Sequence, residues 1–507
     1  MFQGTASHVG KSLLTAGLCR ILHQDGFKVA PFKSQNMALN SYVTVDGLEI
    51  GRAQGVQAEA AGITATADMN PILLKPKEDM IAQVIVMGKP FADMSAGDYR
   101  NDYLTKALPV VSAALARLRD AYDVVVLEGA GSPAEVNLKD RDIVNMKMAE
   151  LAEAPVILIA DIDRGGVFAS LIGTMELLTP EEKKRVAGYV INKFRGDLSL
   201  LTPALDFLER RTGLPVLGVV PFAPDLEIEE EDSVSLSIRR KKERSADLLD
   251  IAVIRLPRIS NFTDFDPLAT ERDVLLRYVE RVEELDVPDA LIIPGTKNTS
   301  ADLIFLQQSG LAKALKRLCA AGTPVVGICG GYQMLGRELF DPDGTESNDL
   351  RHLEALGLLP LSTTFCKPKI TRQVKARLSA HRGWGEMAGI ELQGYEIRHG
   401  QSEASAEAAA LPHIAVSAGS PGEGSIIGLA AADCPAFGTY LHNIFHNDSF
   451  RRHWLNTLRA RRGLPLREVA EDTVSTAKRR ERNYDYLAEM LRRHLDMEQI
   501  YRIIGIG

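Results

Sequence analysis

A cysteine between small residues is the first candidate for chemistry in this chain. Residues 324–336 read PVVGICGGYQMLG, so that Gly327 and Gly330 flank Cys329 and Gly331 follows. Small neighbours permit the sharp strand-to-helix turn of a nucleophile elbow, which exposes the side chain beside the N–H groups of the helix. Those N–H groups can hold an oxyanion, and they favour the thiolate of a cysteine, whose pKa is about 8.5 in the free residue. The stretch alone leaves two interpretations open, a nucleophile and a buried core cysteine.

Two other segments supply partners for such a nucleophile. FGTYLHN places His442 just after a strand-like run, and IPGTKNT offers a loop around Gly295 and Thr296. A histidine within hydrogen-bond reach of a cysteine acts as its base. We therefore predict Cys329 and His442 as catalytic residues, and we assign the oxyanion hole to Gly295, Thr296 and Gly330.

A glycine-rich loop, GTASHVGKS, opens the chain. A turn of this kind at a helix start presents backbone N–H groups to phosphate, while its lysine adds positive charge and its serine hydroxyl can bind Mg²⁺. Five residues separate the two glycines, one more than in the usual pattern, and only three residues precede the loop. We predict ATP binding by Gly4, Thr5, Gly10, Lys11 and Ser12. The strand before the loop is either very short or shortened because the chain begins late.

Acidic side chains in the first half are candidates for a Mg²⁺ site. Glu128 ends the apolar run DVVVLE. A carboxylate at the end of a buried strand is costly to desolvate unless a cation or hydrogen-bond donors meet it, and Mg²⁺ is a natural partner. An ion pair inside the sheet is the alternative. We predict Ser12, Glu128 and Asp46 as metal ligands, and Glu49 is a further possible metal or substrate contact.

Three more polar residues lie at the ends of predicted strands. Lys33, in PFKSQN, is a candidate second clamp on a transferred phosphoryl group, with a solvated loop lysine as the alternative. Asn192 and Lys193 end AGYVINK and resemble the base-contacting edge of related phosphate-loop proteins. We place Lys33 and Asn192 in the ATP site, although a helix cap is a fair alternative for Asn192.

Alternating strand-like and helix-like stretches must position these residues. Continuous apolar runs that are rich in β-branched residues suit strands buried on both faces of a parallel sheet. In the first half these are KVAPFK (28–33), DVVVLEG (123–129), PVILIADI (155–162), AGYVINKF (187–194) and PVLGVVPF (215–222). Between them, KSLLTAGLCRILHQ (11–24) repeats apolar residues at helical spacing. The pattern predicts a doubly wound α/β domain.

A change of composition around residues 223–250 predicts a domain boundary, since the acidic stretch EIEEED is followed there by the basic stretch RRKKER. A second series of buried-strand candidates follows in IAVIRL (251–256), ALIIPG (290–295) and PVVGIC (324–329). We predict two doubly wound α/β domains, at 1–235 and 251–447, joined by a linker at 236–250 and followed by a helical segment at 448–507.

Composition restricts the class of protein. The chain has 507 residues, 45% of them hydrophobic and 25% charged, and a formal net charge of -8. This acidic balance argues against nucleic-acid binding, which normally requires a basic face. Five cysteines without CxxC spacing give neither a disulfide framework nor a zinc site. No apolar run nears the roughly 20 residues that span a bilayer. We expect a cytoplasmic protein with no nucleic-acid or membrane partner.

Several sequence blocks together carry a family resemblance. They are GTASHVGKS, PFKSQNMALNS (31–41), EIGRAQ (49–54), MNPILLKP (69–76), LEGAGSPAEVNL (127–138), DIDRGGVFAS (161–170), LPRISNFTDFDPL (256–268), GICGGYQMLG and GTYLHN. In these blocks, which cover most of the chain, the sequence resembles the cobyric acid synthases, glutamine-hydrolysing amide ligases of cobalamin biosynthesis.

The resemblance implies an N-terminal ATP-dependent synthetase domain similar to dethiobiotin synthetase and a C-terminal glutaminase domain. It implies amidation of the b, d, e and g carboxylates of adenosylcobyrinic acid a,c-diamide, with ATP, Mg²⁺ and glutamine. A carboxylate is a poor electrophile, so transfer of the γ-phosphoryl group of ATP would give an acyl phosphate that ammonia can attack. Lys11 and Mg²⁺ would offset the charge that develops in that transfer.

The resemblance also gives a role to the cysteine. A Cys329–His442 pair could convert glutamine to glutamate and ammonia through a thioester, and the ammonia would pass internally to the ATP site. Many triad glutaminases carry His-Pro-Glu, whereas this chain reads HNIF from His442. The third member of the site is therefore open. The site is either a dyad or has an orienting residue from elsewhere in the chain, and Glu396 and His446 are possible supports.

Two other functions are alternatives. Cobyrinic acid a,c-diamide synthase shares both domain types and differs in the carboxylates that are amidated. MNPILLKP and FKSQNMALNS favour the cobyric acid synthases over it. A phosphate-loop ATPase switch of the chromosome-partition type is a remote alternative, against which the glutaminase domain counts heavily.

Overall fold

The computed structural model describes all residues except 79, 100–103, 140–141, 230, 232–244, 347–349, 406–409, 468–474 and 507. Two compact units are present, and each is assembled from separate stretches of sequence. The first comprises Met1–Ala38, Glu49–Glu229 and Ala477–Gly507, and the second comprises Leu39–Leu48 and Glu230–Thr476. Most of the predicted linker, 236–250, lies outside the described residues. The predicted helical segment, 448–507, divides between the two units.

The strands of the described chain are short in the first half and longer near residue 370. In chain order they are β1 (Phe2–Gly4), β2 (Val29–Phe32), β3 (Gln35–Met37), β4 (Ser41–Val43), β5 (Glu49–Gly51), β6 (Ile72–Glu78), β7 (Ile81–Val86), β8 (Lys89–Ser95), β9 (Val124–Leu127), β10 (Val156–Asp161), β11 (Val186–Phe194), β12 (Val216–Pro221), β13 (Leu249–Ile254), β14 (Val274–Val279), β15 (Ala290–Ile293), β16 (Val325–Ile328), β17 (Glu338–Phe340), β18 (His352–Glu354), β19 (Leu361–Leu378), β20 (Glu391–Ala404), β21 (His413–Val416), β22 (Ile426–Ala430) and β23 (Ala436–Thr439).

The helices lie mainly between the parallel strands and at the end of the chain. In chain order they are α1 (Lys11–Gln24), α2 (Arg52–Ala60), α3 (Ala96–Asp98), α4 (Leu104–Ala121), α5 (Met146–Leu151), α6 (Val167–Leu177), α7 (Pro180–Lys183), α8 (Leu198–Thr212), α9 (Asp266–Ala269), α10 (Val282–Leu285), α11 (Thr299–Gln308), α12 (Leu311–Ala320), α13 (Gly330–Leu335), α14 (Asp448–Arg462), α15 (Thr476–His494) and α16 (Met497–Ile504). None of those described combines the length and apolar character that crossing a bilayer would need.

A parallel sheet forms the centre of the first unit. Its strands run in the order β1-β10-β11-β12, and β2 pairs with β9 in parallel. A parallel bridge between Phe2 and Glu128 joins β1 to the end of β9, so the two groups of strands are continuous. Because the strands are parallel, the residues that follow them meet at one edge, where ligands bind in folds of this type.

Both faces of this sheet are covered. Ile157 and Ile159 of β10 pack in a core with α1 and α15, whereas Leu158 and Ala160 pack in a second core with α6 and α8. A strand whose successive side chains enter two cores reads as a continuous apolar run, as the sequence indicates. At the contact with α15, a Cβ added at Gly17 of α1 would lie 2.3 Å from Leu491 Cδ1.

A larger mixed sheet organises the second unit. Its order is β14-β13-β15-β16-β23-β22-β21-β19-β17-β18, with β20 paired to β19. The strands from β14 to β23 are mutually parallel, and β22, β21 and β20 join antiparallel. The buried strands β13, β15 and β16 and the flanking helices form one core. The predicted fold class, two α/β domains, is confirmed.

Candidate functional site

The glycine-rich loop joins β1 to α1 in the first unit. β1 ends at Gly4 and α1 begins at Lys11, and Thr5 N donates to Ile159 O at 2.9 Å. Gly10 caps the helix with a φ of 99°, and a Cβ there would lie 2.1 Å from Asn192 Nδ2. Glycine at this position therefore satisfies both the left-handed backbone and the close approach of Asn192.

Lys11 crosses the loop that precedes it. Its Nζ donates to Ala6 O at 2.9 Å and to Gly131 O at 3.0 Å, and the residue is 7% exposed. Its ammonium is thus held over the loop by the carbonyl groups on either side. The arrangement brings a fixed positive charge to the N-terminus of α1, which already favours anions.

A buried carboxylate lies beside this loop. Glu128 is 1% exposed, and its Oε1 accepts hydrogen bonds from Ser12 Oγ at 2.8 Å and from Lys33 Nζ at 2.9 Å. Its Oε2 accepts one from Gln57 Nε2 at 2.6 Å. Burial raises the pKa of Glu128, but the charge of Lys33 and these three hydrogen bonds outweigh it and hold the pKa below its ordinary value. Glu128 is therefore ionised, and the ion pair left open by the sequence is present.

The Ser12–Glu128 pair has the chemistry of a Mg²⁺ site. Both side chains present hard oxygen donors, and Mg²⁺ is commonly held by one or two protein oxygens together with phosphate and water. The described residues contain no cluster of three or more His, Cys, Asp or Glu that could hold a metal ion. One carboxylate and one hydroxyl are a donor set that fits a Mg²⁺ ion whose other ligands are nucleotide phosphate oxygens and water.

Two acidic residues named in the sequence have other partners. Asp46 is a residue of the second unit, where its carboxylate accepts a hydrogen bond from the Thr44 hydroxyl, and it is not part of the first-unit cluster. Glu49 is buried and pairs with Lys75 Nζ at 2.7 Å. Glu49 thus has an ion-pair role inside the first unit.

Asn192 and Lys193 bind the back of the glycine-rich loop. Asn192 Nδ2 donates to Val9 O at 2.8 Å, and Lys193 Nζ donates to His8 O at 2.7 Å and to Asp161 Oδ2 at 2.9 Å. Because Asn192 lies within β11, the helix-cap alternative is wrong. Both residues fix the loop, and contact of Asn192 with a base stays a prediction.

The nucleophile elbow of the second unit connects β16 to α13. Cys329 has φ 51° and ψ −105°, a conformation that a non-glycine residue adopts only at a cost of about 1 to 3 kcal/mol. Its N–H donates to Thr439 O at 2.8 Å, and its Sγ donates to Ile397 O at 3.3 Å. A Cβ at Gly331 would lie 2.0 Å from Ile293 O, so the turn needs its glycine neighbours. The elbow has the geometry that the sequence predicts.

His442 lies beside Cys329 and is fully buried. Its Nδ1 and Asp264 Oδ2 are 2.7 Å apart, and Asn443 N donates to Asp264 Oδ1 at 2.9 Å. Burial lowers the pKa of His442, but the Asp264 carboxylate and the Cys329 sulfur raise it to about 10. Among the described residues, His442 Nε2 makes no well-formed hydrogen bond. With Asp264 on Nδ1, Nε2 is the nitrogen that can exchange a proton with sulfur.

Asp264, the partner of His442 Nδ1, was not predicted from the sequence. It lies in a 3-10 helix, Phe262–Phe265, 178 positions before His442. Of the two suggested supports, Glu396 is ion-paired with Arg372 and Arg398, while His446 Nε2 is 3.0 Å from Thr263 O. The only available signal was the block SNFTDF, which carried the family resemblance without indicating a contact with His442.

The predicted oxyanion residues converge around the elbow. A Cβ at Gly330 would lie 3.3 Å from Thr296 N, and one at Gly295 would lie 3.2 Å from His442 Cε1. The Thr296 hydroxyl donates to Asp302 Oδ2 at 2.5 Å, which fixes the loop that carries these groups. The two loops therefore approach each other next to Cys329, and the oxyanion hole at these residues stays a prediction.

Comparisons with known proteins cover both units. Residues 1–236 match the family model described as the CobQ/CobB/MinD/ParA nucleotide binding domain, and residues 250–450 match the CobB/CobQ-like glutamine amidotransferase domain. The cobyric acid synthase of Desulforamulus reducens is 53% identical over 512 residues, which cover 100% of this chain and 98% of that protein. Those of Sorangium cellulosum and Dehalococcoides mccartyi are 52% and 50% identical, again over 100% of this chain and 98% of theirs.

These full-length relationships agree with the two sites. The nucleotide-binding match includes the glycine-rich loop and Glu128, and the amidotransferase match includes Asp264, Cys329 and His442. The chain belongs to the cobyric acid synthase family and is a glutamine-dependent ligase.

Proposed function

We propose that this protein amidates the b, d, e and g carboxylates of adenosylcobyrinic acid a,c-diamide to give adenosylcobyric acid, with ATP as the activating co-substrate and glutamine as the source of ammonia. The observation that carries the proposal is the presence, in one chain, of a phosphate loop beside an ionised buried glutamate and a Cys329–His442–Asp264 site on a nucleophile elbow.

The first unit has the groups that carboxylate activation requires. The γ-phosphoryl group would move from ATP to a carboxylate oxygen of the corrinoid, leaving ADP, and ammonia would then attack the carbonyl carbon and displace phosphate. Lys11 and the N-terminus of α1 would stabilise the charge on the transferring phosphoryl oxygens. Lys33, 2.9 Å from Glu128, is a second cation available at the same edge.

Ser12 and Glu128 would hold Mg²⁺ in this unit. When bound, the ion would neutralise charge on the phosphate oxygens of the nucleotide. Glu128 can serve because its pKa is held below the ordinary value, so that the ionised carboxylate is the form present at neutral pH. Gln57 orients that carboxylate from the side opposite Ser12.

The second unit has the groups that glutamine hydrolysis requires. The Cys329 sulfur would attack the carboxamide carbon while its proton passes to His442 Nε2, and the N–H groups around Gly330 and Thr296 would hold the oxyanion. His442 Nε2 would then donate a proton to the departing ammonia, which leaves a thioester. His442 would next accept a proton from the water that attacks the thioester, and glutamate would be released. Asp264 keeps the imidazole in the orientation that both proton transfers use.

Mass spectrometry tests the proposal directly. Incubation with adenosylcobyrinic acid a,c-diamide, ATP, Mg²⁺ and glutamine should give four successive decreases of about one mass unit, because each OH becomes NH₂. Amidation of only two positions on unsubstituted cobyrinic acid would assign the a,c-diamide synthase activity instead. A folded, nucleotide-binding preparation that leaves both corrinoids unchanged would contradict the proposed function.

A further inference from the structure

Ten residues from the N-terminal part of the sequence belong to the second unit. Leu39–Leu48 group with Glu230–Thr476, although the residues before and after them in sequence belong to the first unit. They form β4 and a tight turn in which Thr44 N donates to Leu48 O at 2.8 Å and Gly47 N donates to Thr44 O at 3.0 Å. No step of the chemistry proposed above uses this segment.

One end of the segment supports the aspartate of the site. Ser41 N donates to Asn261 Oδ1 at 2.9 Å. Asn261 is 3% exposed and has a left-handed φ of 52°, and its carbonyl accepts a hydrogen bond from Asp264 N at 3.0 Å. Asn261 therefore ties residue 41 to the turn that presents Asp264 to His442.

The middle of the segment supports the histidine. Val43 is 1% exposed and packs in a small cluster with Tyr395 and Ile397. The Tyr395 ring stacks on the His442 imidazole, with centroids 4.9 Å apart and an interplanar angle of 14°. The main-chain N–H of His442 donates to the main-chain oxygen of Tyr395 at 2.9 Å. Val43 therefore packs in the same cluster as the ring that stacks on the imidazole.

The same cluster reaches the cysteine. Ile397, the third member, provides the carbonyl that accepts the Cys329 Sγ hydrogen bond at 3.3 Å. The segment itself is fixed to the sheet, because Gln373 Nε2 donates to Val43 O at 2.5 Å and a Cβ at Gly47 would lie 2.9 Å from Thr371 O. These two contacts therefore fix the position of the segment along β19.

From these contacts we propose that residues 39–48 are a positioning segment for glutamine hydrolysis, which holds Asp264 through Asn261, and His442 and Cys329 through the Val43–Tyr395–Ile397 cluster. The inference rests on the proposed glutaminase function. It does not depend on which corrinoid carboxylates are amidated, because its test measures glutamate release.

Two valines in the segment give a matched pair of variants. Val43 is buried, whereas Val45 is 75% exposed, and the change to alanine removes the same atoms from each. In the full chain we expect Val43→Ala to lower kcat for glutamine hydrolysis about tenfold, since sub-ångström displacement of catalytic groups has effects of this order. KM for glutamine should change less than twofold, and ammonia-supported corrinoid amidation should keep its wild-type rate. Val45→Ala should leave all of these rates unchanged.

A second variant tests the other contact. Asn261→Gly removes the oxygen that binds Ser41 N but permits the left-handed backbone. We expect it to lower glutamine-supported turnover several-fold without affecting ammonia-supported turnover. It also covers the case in which Val43→Ala does not fold.

The outcomes separate the two proposals. The positioning role would be overturned if Val43→Ala, Val45→Ala and Asn261→Gly all released glutamate at the wild-type rate. A loss shared equally by glutamine- and ammonia-supported turnover, in step with a lower melting temperature, would also overturn it. A wild-type protein that releases glutamate but leaves corrinoid unchanged would contradict the proposed substrate and not this inference.

Discussion

The two sites of this protein are built by different means. In the first unit, charged and polar side chains from separate elements converge on the Glu128 carboxylate, and the ion pair with Lys33 and the hydrogen bonds from Ser12 and Gln57 hold it. In the second unit, the main chain sets the geometry, since the Cys329 side chain projects from a strained backbone with glycines at positions 327, 330 and 331.

This difference determines how each site should fail. A site held by charge loses function when one charge is removed, because the remaining buried partners are left uncompensated. A site set by backbone geometry loses its chemistry outright only when the reacting atom itself is replaced.

The largest expected effect follows replacement of that atom. Cys329→Ser should lower glutamine-dependent amidation by about 10⁴-fold, because the serine hydroxyl is a far weaker nucleophile than a thiolate and His442 is poorly placed to activate it. Amidation from ammonium salts at high pH should persist, since the ATP chemistry belongs to the other unit. The measurement is the ratio of glutamine- to ammonia-supported turnover, with the melting temperature as the control. A ratio equal to that of the wild type would return Cys329 to a core role.

Removal of the loop charge should have the next largest effect. Lys11→Ala should reduce amidation by about 10³-fold with either nitrogen source, since a charge-assisted contact contributes about 1.5 to 3 kcal/mol and more where charge develops in the transition state. Basal glutamate release by the same protein is the control, and it should remain near the wild-type rate. Near-normal ammonia-dependent turnover would remove Lys11 from the phosphate site.

Asp264→Asn should have an intermediate effect that is confined to the second unit. The amide can no longer stabilise an imidazolium, so glutamate release should fall about 10²-fold, while ammonia-dependent amidation should be unaffected. A dyad that needs no aspartate would show less than a twofold change.

The same variant should alter the pH dependence of stability. The folded-state pKa of His442, about 10, lies above the unfolded value of about 6.5, so its contribution is fully present below pH 6.5 and is lost as the pH rises toward 10. Loss of the Asp264 charge lowers the pKa of His442 in the folded state. The fall of melting temperature between pH 6.5 and 9.5 should therefore be shallower in Asp264→Asn than in the wild type, and parallel curves would contradict the ion pair.

The smallest effects compare one glycine from each site. A Cβ at Gly331 would meet the main-chain oxygen of Ile293 at 2.0 Å, whereas a Cβ at Gly10 would meet the side-chain nitrogen of Asn192 at 2.1 Å. Gly331→Ala should cost about 1 to 3 kcal/mol of unfolding free energy through overpacking against a buried strand, and it should leave nucleotide affinity unchanged. Gly10→Ala should also lose stability, because alanine is strained at a φ of 99°, and it should in addition weaken nucleotide affinity. An equal fall of nucleotide affinity in both variants would remove the distinction between the two sites.

Much of the central framework could be predicted from the sequence. Each predicted run from KVAPFK to PVVGIC contains a strand, and α1 spans the predicted residues 11–24. These elements are buried on both sides, so their apolar character is continuous and easily read. The mixed part of the second sheet, β17–β22, was not predicted, because strands such as β19 carry polar and charged residues along most of their length.

The candidate site was predictable where the groups are close in sequence to a recognisable turn. The cysteine elbow and the phosphate loop are local patterns, so their backbone requirements appear directly in the order of glycines. Asp264 meets His442 only through tertiary structure, and no spacing rule links residues 178 positions apart. The assignment of Asp46 to the second unit is similarly non-local, since its neighbours in sequence belong to the first.

The packing of α15 against Gly17 of α1 has a consequence for biosynthesis. The first unit buries Leu487 and Leu491, which follow the second unit in sequence and are therefore synthesised after it. The face of α1 that packs against α15 therefore stays uncovered while the second unit is translated. We expect nascent chains that are released before residue 477 to remain sensitive to proteases at α1. Synthesis of the first unit begins before that of the second, but the first unit can be completed only after the second has been synthesised.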